Sequence, residues 1–296
     1  MLYKAIRTEN LTKHYGQNVY GVRDLALEVE SGEVFGLLGL KGAGKTTLVR
    51  LLLDYIRPTS GRAVVLDMET AGKGVTIRRS VGHLPAQSML FDHLSIEHAL
   101  RLVAKLRGTG DWSYTCDLLD EFGLDLKQRI GSLAAQDKRR LGLVQAFMSQ
   151  PELYILDEPL KGLDGRGTEI FYRLVKEVRS AGGTVLFTST SVGEVERICD
   201  RVGWLNNGSL AGIERTIQLR SRTIREVELE FSQPVPDEVF ADMPNLIDLS
   251  VQGRCLHCRV QGDIRELLQQ ANRYVVLSVS SRMPGLEDLM TGIPIP

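Results

Sequence analysis

The stretch Gly39-Leu-Lys-Gly-Ala-Gly-Lys-Thr-Thr47 constrains this chain more than any other. It follows the apolar run Val34-Phe-Gly-Leu-Leu38 and precedes a helical spacing at Leu48, Leu51 and Leu52, so it reads as the turn between a buried strand and a helix. Glycines at this spacing let successive backbone N–H groups turn toward one set of phosphate oxygens, and the helix N-terminus adds the positive end of its dipole. In such a loop Lys45 reaches the β- and γ-phosphates and Thr46 gives its hydroxyl to Mg²⁺. Gly39, Leu40, Lys41, Gly42, Ala43, Gly44, Lys45, Thr46 and Thr47 are therefore the expected phosphate cradle. The bland alternative is a glycine-rich structural turn, which the flanking strand and helix patterns argue against.

A second cluster supplies what a metal-assisted hydrolysis needs. Leu153-Tyr-Ile-Leu-Asp157-Glu158-Pro159 is a short buried-strand run that ends in two carboxylates. Strand alternation is expected to send them in different directions, leaving Asp157 for the Mg²⁺ shell and Glu158 for an attacking water. Alone, this pattern is as often structural as functional; beside a phosphate loop it points to nucleoside triphosphate chemistry.

The chain has 296 residues, 43% of them hydrophobic, which suits one large and one small domain. A net charge of -1 gives no nucleic-acid footprint, although Arg78-Arg79 and Lys138-Arg139-Arg140 are local basic points. No apolar run approaches the roughly 18 to 20 residues that span a bilayer, and Met1-Leu-Tyr-Lys does not open a signal peptide, so a cytoplasmic chain is expected. Four scattered cysteines imply no disulfide framework. Cys255-Leu-His-Cys258 lies in an alternating segment that sends its two thiols to opposite faces, and no second ligand pair follows, which disfavours zinc.

Alternation in the first thirty residues predicts an antiparallel flap. From Ser95 the spacing turns helical through Ile96, Ala99, Leu100, Val103 and Leu106, with Gly108 as a stop, followed by helices at Asp111–Phe122 and around Leu141, Val144 and Met148. These helices, between about residues 92 and 150, read as an insertion into an α/β nucleotide fold. Thr184-Val-Leu-Phe-Thr-Ser189 is a further buried strand, and Val202–Leu205 with Asn206-Asn-Gly-Ser209 opens a hairpin. The core is expected to close near residue 217. Beyond it, from 222 to 296, the order of alternating and helical segments resembles a small ferredoxin-like α+β unit.

Lys138-Arg-Arg-Leu-Gly-Leu-Val-Gln-Ala146 followed by Pro151-Glu-Leu-Tyr-Ile-Leu-Asp-Glu-Pro159 resembles the helix and second motif of the ATP-binding cassette (ABC) ATPases. The likeness covers nearly the whole chain. It implies an α/β P-loop NTPase cassette with a mixed sheet core, an antiparallel β flap and a helical insertion. Asn10-Leu-Thr-Lys-His-Tyr-Gly16 is similar to the family's opening segment, so Tyr15 inherits adenine stacking, with a core tyrosine as the alternative. Gly162-Leu-Asp164 matches the loop that meets a second subunit, and Gly285-Leu-Glu-Asp-Leu289 with the α/β tail resembles the extension of bacterial drug, antibiotic or lipid exporter subunits. The resemblance implies ATP and Mg²⁺ as cofactors and a second nucleotide-binding domain as partner. It also implies an integral membrane permease, received near Leu84 to Leu94, that holds the chain on the inner face of the membrane. Nucleic acid is not expected as a partner.

Three departures qualify the resemblance. Where the family reads Leu-Ser-Gly-Gly-Gln, this chain has Leu133-Ala134-Ala135-Gln136-Asp137, without the serine hydroxyl and both glycines. Losing one donor of that kind from a catalytic site costs about 10²- to 10³-fold in rate. Thr190 stands where the family has a switch histidine, and Ala86 where it has a lid-loop glutamine, with Gln87 one place later. A fourth difference, Lys41 in place of the usual asparagine, matters less because the backbone does most of the cradling, and it adds a cation near the phosphates. The expected function is ATP hydrolysis coupled to a permease; the alternative is a hydrolysis-impaired regulatory subunit of a heterodimer. A soluble ABC ATPase acting on ribosomes or DNA is disfavoured, since neither a second cassette nor a long coiled-coil insertion is visible.

Overall fold

The computed structural model describes residues 3–16, 19–87, 91–108, 111–236, 238–241, 243 and 245–283. Part of the Leu84–Leu94 segment, and all of Gly285–Leu289, lie outside the described residues. The chain forms two units, Met1–Thr190 with Ile198–Ile213, and Ser191–Arg197 with Glu214–Pro296.

Alternating residues at the start of the chain become β1 (Lys4–His14), β2 (Tyr20–Leu25) and β3 (Glu28–Glu30), with β1 antiparallel to both others. The apolar run that follows is β4 (Val34–Leu38), buried at every position, and it leads through the glycine loop into α1 (Lys45–Leu52). β5 (Ser60–Val65) and β6 (Met68–Glu69) return to the antiparallel flap, whose order is β2-β1-β5-β6 with β3 also on β1. Next come α2 (Gly74–Ser80) and β7 (Val81–Leu84).

Three helices follow, as the change of period predicts: α3 (Ile96–Arg107), α4 (Trp112–Phe122) and α5 (Ala135–Phe147). Ser95 caps α3 by accepting the His98 N–H at 3.3 Å, and Gly108 ends it in the left-handed conformation. Asp111 caps α4 by accepting from Ser113 N–H at 2.9 Å. The chain then runs through β8 (Leu153–Leu156), α6 (Gly165–Ser180), β9 (Thr184–Ser189), α7 (Val192–Ile198), β10 (Arg201–Asn206) and β11 (Ser209–Arg215). Asn207 and Gly208 both take positive φ, 46° and 83°, which is what a tight β10–β11 hairpin turn requires.

The central sheet has the order β11-β10-β4-β9-β8-β7, and β10, β4, β9, β8 and β7 are parallel. Strands covered on both faces read as continuous apolar runs, which is why β4, β8 and β9 are buried throughout. Leu48, Leu51 and Leu52 of α1 join Leu37, Ile155 and Leu186 in one core. The arrangement is a mixed-sheet α/β cassette with an antiparallel flap and a helical insertion. The ends of β4, β8 and β9 lie side by side, and the site is built there.

The second unit contains α8 (Thr216–Arg222), β12 (Ile224–Phe231), α9 (Glu238–Ala241), β13 (Leu246–Gln252), β14 (Cys255–Gln261), α10 (Arg265–Ala271) and β15 (Val276–Arg282). Its strands pair in the order β13-β14-β12-β15, each antiparallel to its neighbour. Leu229, Phe231, Leu256, Val260, Phe240 and Leu267 form its core. Within this unit the buried Glu196 carboxylate takes an ion pair from Arg225 at 2.6 Å and a hydrogen bond from the Thr223 hydroxyl at 2.9 Å.

Candidate active site

The loop between β4 and α1 is shaped by steric need at its glycines. A Cβ on Gly44, which has φ 108°, would collide with the Gly21 carbonyl oxygen of the flap. Glycine there lets the flap close onto the first turn of α1. Lys45 is 4% exposed, and its ammonium donates to the carbonyls of Gly39 at 2.6 Å and Leu40 at 3.1 Å. Burial lowers its pKa, while Glu158 and Asp157 act in the opposite direction. Ala43 and Gly44 are buried, Leu40, Thr46 and Thr47 are half-buried, and Lys41 and Gly42 are exposed.

Tyr15 is not a core residue. Its side chain is 54% exposed, its hydroxyl lies 3.4 Å from Thr47 Oγ1, and the Lys13 ammonium sits 5.6 Å from its ring centre. An exposed ring beside the start of α1 is available for stacking.

The two carboxylates diverge, although not by strand alternation. β8 stops at Leu156, and Glu158 has φ 48°, so the bend after the strand separates them. Asp157 is buried and accepts from the Thr188 hydroxyl at 2.6 Å. Glu158 turns back to the glycine loop and lies between Lys45 at 3.6 Å and Lys161 at 3.1 Å. A cavity of about 580 Å³ brings Thr46, Asp157, His83, Ala86 and Gln87 to one space. A hydroxyl and a buried carboxylate facing one cavity are hard oxygen donors of the kind Mg²⁺ takes, with room left for water and phosphate oxygens. The structure therefore brings Gln87, as well as Ala86, to the cavity that Thr46 and Asp157 share.

Two important residues escape motif reading. Arg139 of α5 is buried and donates to the carbonyls of Pro85 and Asp157, both at 2.7 Å, and to that of Glu158. Burial lowers its pKa to about 10, which leaves it protonated at neutral pH. The signal was present, because Arg139 falls on one helical face with Leu143 and Ala146. Thr188 is the second, and a hydroxyl inside an otherwise apolar buried strand must find a partner. It donates to Asp157 and accepts the Glu158 N–H at 2.9 Å.

The altered motif also has a definite geometry. Ala134 stands at the N-cap of α5 and offers no side-chain cap. Asp137 does not present an unpaired charge, because Arg140 pairs with it at 3.1 Å and with Asp164 at 2.8 Å. Thr190 is exposed just beyond β9.

The chain is similar to known proteins. The family profile described as ABC transporter matches residues 22–161. Over 295 residues the chain is 31% identical to the Nod factor export ATP-binding protein I of Rhizobium johnstonii, spanning 96% of this chain and 93% of that protein. The chain belongs to the ABC transporter family. It is also 34% identical over 219 residues to an uncharacterized ABC transporter ATP-binding protein, all4389, of Nostoc sp., a match that spans 70% of this chain and 65% of that one. Its fold is similar to a solved ATP binding subunit of an ABC transporter, with a TM-score of 0.68 at 28% identity, over 74% of this chain and 92% of that one. As an ABC protein the chain is an ATP-binding subunit and an ATPase. Among its described residues no helix is long and apolar enough to cross a membrane.

Proposed function

We propose that this ABC subunit couples Mg-ATP hydrolysis to movement of a separate integral membrane permease, in the direction of export. The export reading is supported by the likeness to the Nod factor export protein. We place the cassette at residues 1–217, with its helical subdomain at about 92–150, and a small ferredoxin-like domain at 222–296. The cassette works opposite a second nucleotide-binding domain, on the inner face of the membrane.

One observation carries the assignment of roles: Glu158 lies 3.6 Å from the ammonium of Lys45, so the carboxylate suited to accept a proton adjoins the cation suited to hold phosphate. Residues 39–47 cradle the phosphates, Lys45 neutralises the β- and γ-phosphate charge, and Tyr15 stacks on the base. Thr46 and Asp157 hold Mg²⁺, which when bound withdraws charge from the phosphate oxygens. Glu158 orients a water in line with the terminal phosphorus and accepts its proton. Thr188 and Arg139 hold both carboxylates in place by fixing side chain and backbone.

Steady-state Mg-ATP hydrolysis tests this, with nucleotide binding measured by calorimetry on the same samples. Glu158→Gln abolishes turnover and retains binding, whereas Lys45→Ala loses binding. Unchanged turnover in Glu158→Gln would remove that residue as the base. A second reading, a hydrolysis-impaired regulatory half, is favoured by the absent side-chain cap at Ala134. Tight binding without turnover in the unmodified chain selects it.

A further inference from the structure

Along β14 and β12 the sheet of the second unit buries one face and leaves the other open, while the edge strand β15 is exposed along most of its length. Across its strands in the order β13-β14-β12-β15, one row of the open face reads Asp248, Arg259, Glu226, Arg282. The adjacent row reads Ser250, His257, Glu228, Ser280, and the next Gln252, Cys255, Glu230, Ser278. Every charged residue in these rows is exposed. The first row alternates negative, positive, negative, positive.

That order is self-complementary under one symmetry. When a second copy is laid face to face by a two-fold axis parallel to the strands, β13 lies over β15 of the partner and β14 over β12. Each row then meets its own reverse. Asp248 opposes the partner's Arg282, Arg259 opposes the partner's Glu226, and His257 opposes the partner's Glu228. A two-fold axis along the rows would instead set like charges against like, which opposes association. The pattern thus accepts a second copy in one orientation and rejects the other.

The charges of the first row are free to make such pairs. Among the described residues, none of Asp248, Glu226, Arg259 and Arg282 uses its side chain in an ion pair or hydrogen bond, while His257 lies 3.8 Å from Glu228. We propose that this face is a docking surface for the same face of a second copy of this chain. Strand spacing and rise give it a footprint of roughly 19 by 23 Å. That is about half of the roughly 800 Å² per partner in a stable interface, so the contact supplements a larger one and is weak by itself. It does not depend on hydrolysis, and a test without nucleotide leaves the proposed function untouched if it fails.

The experiment is sedimentation equilibrium of the full chain without nucleotide, at low and high salt. The unmodified chain is expected to show a salt-sensitive monomer–dimer equilibrium. Arg259→Glu and Glu226→Arg, each at an exposed position, weaken it by about tenfold or more through two symmetric like-charge contacts. The double variant Glu226→Arg/Arg259→Glu recovers the dimer. An equimolar mixture of the two single variants also associates, because each altered residue meets its complement while the local repulsion in each chain persists. A monomer at every concentration, single variants as tight as the unmodified chain, or a double variant and mixture as weak as the singles would each overturn the proposal.

Discussion

Thr188 of β9 lies beside Asp157, the residue that follows the neighbouring parallel strand β8, and the threonine hydroxyl donates to the carboxylate at 2.6 Å while accepting the N–H of Glu158 at 2.9 Å. One hydroxyl on β9 therefore sets the side chain of one acidic residue and the backbone of the next. Thr188→Val keeps the shape and deletes both bonds. The loss of a buried donor beside a buried carboxylate costs about 1 to 3 kcal/mol. Urea unfolding reads that cost, and Mg-ATP turnover falls with it; a variant as stable and active as the parent would show that Thr188 only fills space.

Arg139 spreads one guanidinium over carbonyls at the ends of β7 and β8. A lysine in its place has a single ammonium and no planar fork. Arg139→Lys is expected to cost about 2 to 3 kcal/mol in chemical denaturation, since hydrogen bonds to a charged donor are lost inside the protein. If only activity changed, Arg139 would be acting on catalysis and not on the scaffold.

At the start of α5, Ala134 leaves the cap without a side-chain acceptor. Ala134→Ser supplies one, and a serine cap is worth about 0.5 to 2 kcal/mol over alanine. Higher thermal stability is expected, together with faster turnover if the hydroxyl also serves as the donor that the family resemblance implies at this position. Stabilisation without acceleration would separate the structural role from the catalytic one.

Burial lowers the His83 pKa from 6.5, against the opposing influence of its ring N–H donating to the Ile155 carbonyl. Well above pH 6.5 neither state is protonated here and the full stability is present. As the pH falls, the unfolded chain takes up a proton that folded His83 refuses, and stability declines until the lowered value is passed. His83→Asn keeps a donor and removes the titration. Its melting temperature should fall less than the parent's between about pH 7.5 and 5.5, and equal falls would assign the acid sensitivity to other groups.

Strong periodicity and punctuation made much of this fold readable in advance. Ser95 and Gly108 bracket a helix because one caps and the other turns left-handed, and both act within a few residues. The glycine loop and the Asp157-Glu158 pair were legible for the same reason. Thr188 was not, because its partner lies 31 positions away in sequence and meets it only once β8 and β9 pair. Arg139 was visible as a helical position, yet its carbonyl acceptors come from chain bends that no local pattern describes. The positive φ of Glu158 is likewise imposed by its surroundings.

The placement of Glu158 between Lys45 and Lys161 gives Lys45 a counterion from within the chain. An incoming polyphosphate must outbid that carboxylate for Lys45. When it does, the Glu158 carboxylate keeps its ion pair with Lys161 and loses the one with Lys45. Under the proposed roles, phosphate binding at Lys45 and release of the Glu158 carboxylate from it are then one exchange.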